Sequence, residues 1–393
     1  MVFFIYLFAV YLLPAASVGT TTLLGILVMY AFFLALVDRK LLPLLFKIFV
    51  LACMLAVFYT VLTEGTSIAQ NVSNRGMKRL VSKFLQYLSL YLPMVMLLRV
   101  HKAATPRQKW ILIGAALAMM VYVVITTWLY LQVDPNATRE WSSFDENAEE
   151  GVANYYFIYA IPILIAVVAA CFMKFRPGGK ILCALINLVA VVFLVNAQYT
   201  LSILISVIGM LYQAYQSMRR TTSKVLYLLA MVLLAVFLPG MLELAMKYIP
   251  SQQIVIRLGE IHTFLVGQGA GGYNLNARLT LYTDTVRAFL ASPVWGNRSL
   301  SFDGHATFLT VLADTGLLGG IPFYYLLNLT CKRICHIMGN NLKHYKTVVL
   351  MFVLMGLTNP VHASKPIALA TWFLAPLMLQ MILKERENND EAI

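Results

Sequence analysis

Between Pro250 and Gly304 the chain carries Arg257, Arg278, Arg287 and Arg298, and His305 opens the apolar run that follows. Arginine suits pyrophosphate because its planar fork donates parallel hydrogen bonds and stays charged at any working pH. Histidine near neutral pH can take a proton from a sugar hydroxyl. Gathered in one pocket, the two residue types would hold a phosphate-linked donor and activate an attacking alcohol. Arg278, Tyr282, Thr285 and Phe289 recur at three- or four-residue steps, which puts them on one face of a helix. The candidate catalytic residues are therefore His305 and Arg278, with Arg287, Arg257, Arg298 and Tyr282 as candidate substrate-binding residues. Simpler roles compete at each position. Asp284 lies three residues before Arg287, so the two suit a surface ion pair. His305 at a helix start suits a cap, and a loop arginine is often only a solvated cation.

These side chains need elements to hold them. Residues 252–266 mix apolar and polar positions, as a helix lying in a membrane interface would. GQGAGGYN at 267–274 reads as a glycine-rich hinge. It lacks the Lys-Ser/Thr of a phosphate-binding loop and has no strand before it, so nucleotide binding is excluded. Residues 276–291 read as a helix that Ser292-Pro293 ends, and Gly296 permits a turn. The next apolar run holds Asp314 and the series Gly316, Gly319, Gly320 and Pro322, which permits close helix contact or a bend.

Around this segment the chain is largely apolar. Of its 393 residues 60% are hydrophobic and 12% charged, and the mean hydropathy is +0.77. A soluble protein needs a substantially polar exterior, so the expected fold class is an all-α integral membrane protein. A transmembrane barrel would show short alternating segments instead. Twelve spans are expected, near 2–18, 21–37, 41–62, 81–98, 110–133, 154–173, 181–199, 200–217, 225–249, 305–330, 347–362 and 367–383. Met1 leads directly into an apolar run with no basic stretch, so the first segment reads as a retained span.

Basic residues orient the spans. The connections 37–40, 99–109, 174–180, 219–224 and 331–346 and the tail from Lys384 carry two, four, three, three, four and two Lys or Arg, which makes 18 of 30. All fall on one face when the count is twelve, so that face and both termini read as cytoplasmic. The expected organisation is a nine-span bundle over 1–249, a large extracytoplasmic loop over 250–304 with the catalytic residues, and a three-span bundle with its tail over 305–393. The net charge of +13 then sets orientation and meets lipid headgroups, and no nucleic acid is implied. Two further polar segments lie on the outer face. One holds Arg75, Lys78, Arg79 and Lys83, either along the interface or at the start of the fourth span. The other, from Asp134 to Gly151, is acidic and reads as a solvated loop. The five cysteines read as free thiols, and Cys331-x-x-x-Cys335-His336 lacks a second ligand pair, so no metal is expected.

The pattern NAR-x3-Y at 276–282, SPVWG at 292–296 and GHATFLTVLADTGLLGG at 304–320 resembles the signature of bacterial O-antigen and capsule polymerases and O-antigen ligases. The resemblance covers about 45 residues, and the twelve-span layout with a late large loop agrees with it. It implies a GT-C-like glycosyltransferase that takes a glycan from undecaprenyl pyrophosphate to an acceptor outside the cytoplasmic (inner) membrane, without a nucleotide-sugar, cofactor or metal. Arg278 matches the family arginine of R-x3-W/Y, and His305 matches its loop-end histidine. Two departures stand out. Family members often carry Ser-Arg where this chain has Gln198-Tyr199-Thr200-Leu201-Ser202, so a second pyrophosphate-binding cation must come from elsewhere. His305 is followed by Ala306-Thr307 and not by the Asn common in ligases, which favours the polymerase branch. The expected activity is polymerisation of undecaprenyl-pyrophosphate-linked oligosaccharide repeat units into O-antigen or capsular polysaccharide. A ligase acting on lipid A-core of lipopolysaccharide is the close alternative. A polysaccharide transporter or flippase is the alternative from another class. The implied partners are the lipid-linked oligosaccharides, membrane lipids, a chain-length regulator and a flippase.

Overall fold

The computed structural model describes residues 2–14, 40–64, 74–134, 137–138, 151–172, 177–218, 220–249, 252–266, 273–297, 306–361 and 364–390, and among them all regular structure is helical. A chain this apolar has no water within a bilayer to satisfy its backbone, so each segment must bond within itself. The helices are α1 (Val2–Leu12), α2 (Leu42–Glu64), α3 (Asn74–Ala103), α4 (Pro106–Leu131), α5 (Tyr155–Ile158), α6 (Ile161–Phe172), α7 (Pro177–Asn196) and α8 (Thr200–Ser217). They continue as α9 (Thr221–Tyr248), α10 (Gln252–Leu265), α11 (Tyr273–Ala291), α12 (Thr307–Met338), α13 (Leu342–Thr358), α14 (Lys365–Leu369) and α15 (Ala375–Asp390). Among the described residues, 7 helical stretches are long and apolar enough to cross a membrane. One of them, Thr307–Thr358, is α12 and α13 joined through the turn at Gly339–Asn341. The protein is thus an all-α membrane protein. Helices occupy every expected apolar segment that falls within the described residues. The segment at 21–37, the acidic stretch at 139–150 and the hinge at 267–272 lie outside them. α3 begins at Asn74, so Arg75, Lys78, Arg79 and Lys83 belong to the first turns of one continuous helix.

The C-terminal segment is the centre of the bundle. In its apolar stretch 78% of residues are buried, against none in α9. α14, a π-helical turn at Ala370–Leu374 and α15 form one column, and α1, α3, α4, α6 and α13 pack around it. Trp372 packs on Phe352 of α13 and Phe373 on Phe8 of α1. Backbone groups that the helices lose are recovered across this packing. Pro93 in α3 has no N–H, which deprives the Ser89 carbonyl of its helical donor, and the Tyr11 hydroxyl donates to that carbonyl at 2.9 Å. α8 and α13 approach closely because Gly209 lies against Met351, where a Cβ would sit 2.5 Å from the sulfur. Beside that contact the Thr347 hydroxyl donates to Gln213 Oε1 at 2.8 Å, and Gln213 Nε2 bonds His344, all three residues being buried.

Two groups of connections pack at the two ends of the bundle. At one end the Ser364 hydroxyl donates to the Tyr156 carbonyl at 3.3 Å, and the Tyr199 hydroxyl to the Thr138 carbonyl at 2.9 Å. At the other end α4 starts on a capping box of Thr105 and Gln108, beside the contact between His101 and Gln380.

Candidate active site

α11 carries Arg278, Tyr282 and Arg287, and it ends at Ala291, where Ser292-Pro293 predicts. Thr285 on it is buried, and Tyr282 and Phe289 are half-buried, so the face shared by these residues turns toward the bundle, where α11 packs on α12. Arg278 lies one turn before Tyr282 in the same register. Arg287 lies elsewhere on the helix. Its guanidinium is 3.9 Å from the Asp284 carboxylate, and the two side chains are 77% and 51% exposed, which matches the surface-pair reading. Arg257 lies on α10, a helix that packs against α9. Arg298 and His305 lie outside the described residues.

The turn after α11 inserts its backbone into a break in α12. Gly316 leaves helical geometry at φ +60 and ψ −158. That break takes the N–H groups of Leu317 and Leu318 away from carbonyls within their own helix. The turn supplies replacements: Leu317 N–H donates to the Pro293 carbonyl at 2.8 Å and Leu318 N–H to the Val294 carbonyl at 3.3 Å. In exchange the Ala313 carbonyl, the normal helical acceptor for Leu317, takes the Asn297 N–H at 2.7 Å. Backbone meets backbone here, so neither glycine tolerates a side chain. A Cβ on Gly296, where φ is +75, would lie 2.3 Å from the Asp314 carbonyl oxygen, and one on Gly316 would lie 2.3 Å from that of Val294. Of the small residues expected to permit contact or a bend, Gly316 makes the bend, whereas Gly319 and Gly320 face Thr315 and Leu312 of their own helix.

The head of α12 is also fixed. Thr307 donates both its N–H (3.3 Å) and its hydroxyl (2.9 Å) to the Asn359 carbonyl at the end of α13. The N-cap position falls at Ala306, with no side-chain cap, and not at His305. A carbonyl from the neighbouring helix thus satisfies the first donor of α12, and the capping role expected of His305 lies outside the described residues.

No protein-family model matches the chain, and no curated protein matches it. The geometry itself draws in two residues outside the candidate set, Asp314, already noted in its apolar run, and Lys365. Asp314 is 2% exposed and belongs to the junction between α12 and the docked turn. Lys365 begins α14 and lines a cavity of about 160 Å3 with Tyr11, Pro14, Asn154, Tyr156 and Pro366, at the end of the bundle where Ser364 meets Tyr156. Each is an ionisable group within or at the edge of an apolar span, and that is the signal by which both were open to discovery. Gln198 and Tyr199, where the resembling family often has Ser-Arg, close the α7–α8 hairpin, and Tyr199 packs edge-on against Tyr159. Among the described residues no group of three or more His, Cys, Asp or Glu could hold a metal ion, and all five cysteines are free.

Proposed function

We propose that the chain is an oligosaccharide repeat-unit polymerase, a membrane glycosyltransferase that builds O-antigen or capsular polysaccharide on the outer face of the cytoplasmic membrane. A twelve-span, GT-C-like arrangement with both termini in the cytoplasm belongs to this proposal. The observation that carries it is the docking of Pro293–Gly296 into the break at Gly316. It fixes the end of α11, the helix that carries Arg278, against α12, the span that His305 precedes in the sequence. Glycosyl transfer needs such fixed placement of a cation and a proton acceptor. The growing chain on undecaprenyl pyrophosphate is the donor, and the terminal sugar of a new lipid-linked unit is the acceptor. His305 takes the acceptor hydroxyl proton as the new glycosidic bond forms. The bond from the donor sugar to phosphate breaks, and the electron pair leaves with undecaprenyl pyrophosphate. Arg278 and a second outer cation offset the charge of that leaving group. Arg287, Arg257 and Arg298 are candidates for the second cation, and Tyr282 is the candidate sugar-binding residue.

A ligase would differ only in its acceptor. A transporter would need ionisable residues along a central path. Lys47 argues against that reading, because it sits over the Tyr325 ring at 4.6 Å, bonds the Tyr325 hydroxyl and is exposed on the side of the bundle. The test is an assay of purified variants with lipid-linked repeat units, resolved as a product ladder. His305→Ala should still bind the lipid-linked donor but lose about 100-fold or more in polymer formation. A normal ladder from His305→Asn at matched protein levels would remove His305 from the mechanism.

A further inference from the structure

At the opposite end of the bundle, three helix ends surround a cavity of about 430 Å3. Lys40 stands just before α2, His101 and Lys102 close α3, and Arg333 lies near the end of α12. Leu44 and Leu98 line the same cavity on its bundle side. His101 is held from behind. Gln380 Nε2 donates to the Ile337 carbonyl at 3.0 Å, which turns Gln380 Oε1 toward His101 Nδ1, also 3.0 Å away. A carbonyl oxygen only accepts, so this network assigns the hydrogen to Nδ1 and fixes the ring beside the cavity. Lys109 braces the same helix end by donating to the His101 carbonyl at 3.2 Å.

Loop cations that only set orientation would stand apart in water. Here they converge on one hollow with an apolar floor. We propose that this cavity binds the phosphodiester headgroup of an anionic phospholipid, with the start of its acyl chains against Leu44 and Leu98. The Arg333 fork matches two phosphate oxygens, and the lysines add point charges around them. Basic pockets between membrane helices suit anionic headgroups for this reason. The volume falls within the roughly 300–1,000 Å3 of small-ligand sites. The two leucines suit hydrocarbon and not sugar hydroxyls, which separates this cavity from the candidate active site. The inference does not rest on the proposed glycosyl transfer; only the leaflet that supplies the lipid follows from the proposed orientation.

The experiment is native mass spectrometry of the purified full-length protein, titrated with phosphatidylglycerol or with phosphatidylethanolamine. The wild type should bind the first phosphatidylglycerol at least about tenfold more tightly than phosphatidylethanolamine. At about fivefold per cation, Lys102→Gln with Arg333→Gln should weaken that binding about 30-fold. Both positions are exposed, so the fold should survive, and an unchanged thermal transition checks this. Lys224→Gln, in the first turn of α9 and outside the cavity, should leave binding unaltered. Equal affinity for the two lipids would overturn the proposal. So would equal losses from Lys224→Gln and from the double variant. Displacement of the lipid by glycerol 3-phosphate at millimolar concentration would overturn it in favour of a soluble phosphate ester.

Discussion

Gln198 is the only non-glycine residue with positive φ among the described residues, at +58. It occupies the position after α7 where the chain reverses: Tyr199 N–H bonds the Leu194 carbonyl at 3.3 Å and Gln198 N–H that of Val195 at 3.0 Å. This is the pairing of a Schellman end, whose left-handed residue is usually glycine. Gln198→Gly should therefore leave the hairpin intact and stabilise the protein by up to about 1 kcal/mol, whereas Gln198→Val should destabilise it by more than that. Thermal unfolding in detergent separates the two, and a lower Tm for Gln198→Gly would mean that the glutamine side chain does work that outweighs its strain. The arginines of α11 divide by the same kind of local reasoning. Arg287→Lys keeps a charge beside Asp284 in an exposed pair and should change polymer yield less than about twofold. Arg278→Lys keeps the charge but loses the planar fork, and most activity should go with it. Equal tolerance of the two changes in the ladder assay would count against a phosphate clamp at Arg278.

The decisive element is the pair formed by the turn after α11 and the broken helix α12. Gly316→Ala should test it most directly. The conformation at φ +60 and ψ −158 belongs essentially to glycine and costs any other residue about 1–3 kcal/mol. The added methyl would also push against the Val294 carbonyl. The variant should insert into the membrane yet expose the 293–297 turn to protease and lose polymer formation. Gly240→Ala in α9 meets nothing within 4 Å and should be silent in both assays. Protection of the turn in Gly316→Ala equal to the wild type would show that docking does not depend on the break. Much of this element was legible in advance. The end of α11 followed from Ser292-Pro293 and the turn from Gly296, because proline and glycine act on their own backbone. Which glycine would break α12, and that the turn would fill the break, was not legible. Both depend on carbonyls more than fifteen residues away in the chain. The same limit applies at the head of α12: the donor of Thr307 is satisfied by Asn359, which no local pattern announces.

At the scale of the whole molecule, apolar length reads out the helices, but not their depth in the bundle. α9 and the C-terminal column are both apolar stretches, yet α9 has no buried residue while the column is the centre. Lipid is as apolar as leucine, so hydropathy alone cannot rank the two. Orientation is different, because it rests on cations that the membrane sorts during insertion. The turn at Gly339–Asn341 shares an end of the bundle with the basic cavity and the His101–Gln380 contact, so all three must face one side. The proposed orientation puts that side in the cytoplasm and residues 250–304 outside. A variant lacking Cys53, Cys171, Cys183, Cys331 and Cys335 provides a background for single-cysteine labelling with a membrane-impermeant maleimide. In intact cells Ser299→Cys should react, and Asn340→Cys, on an exposed turn residue, should react only after the membrane is opened. Reaction at Asn340 in intact cells would invert the assignment, move Arg278 and His305 to the cytoplasmic face, and end the case for a lipid-linked donor used outside.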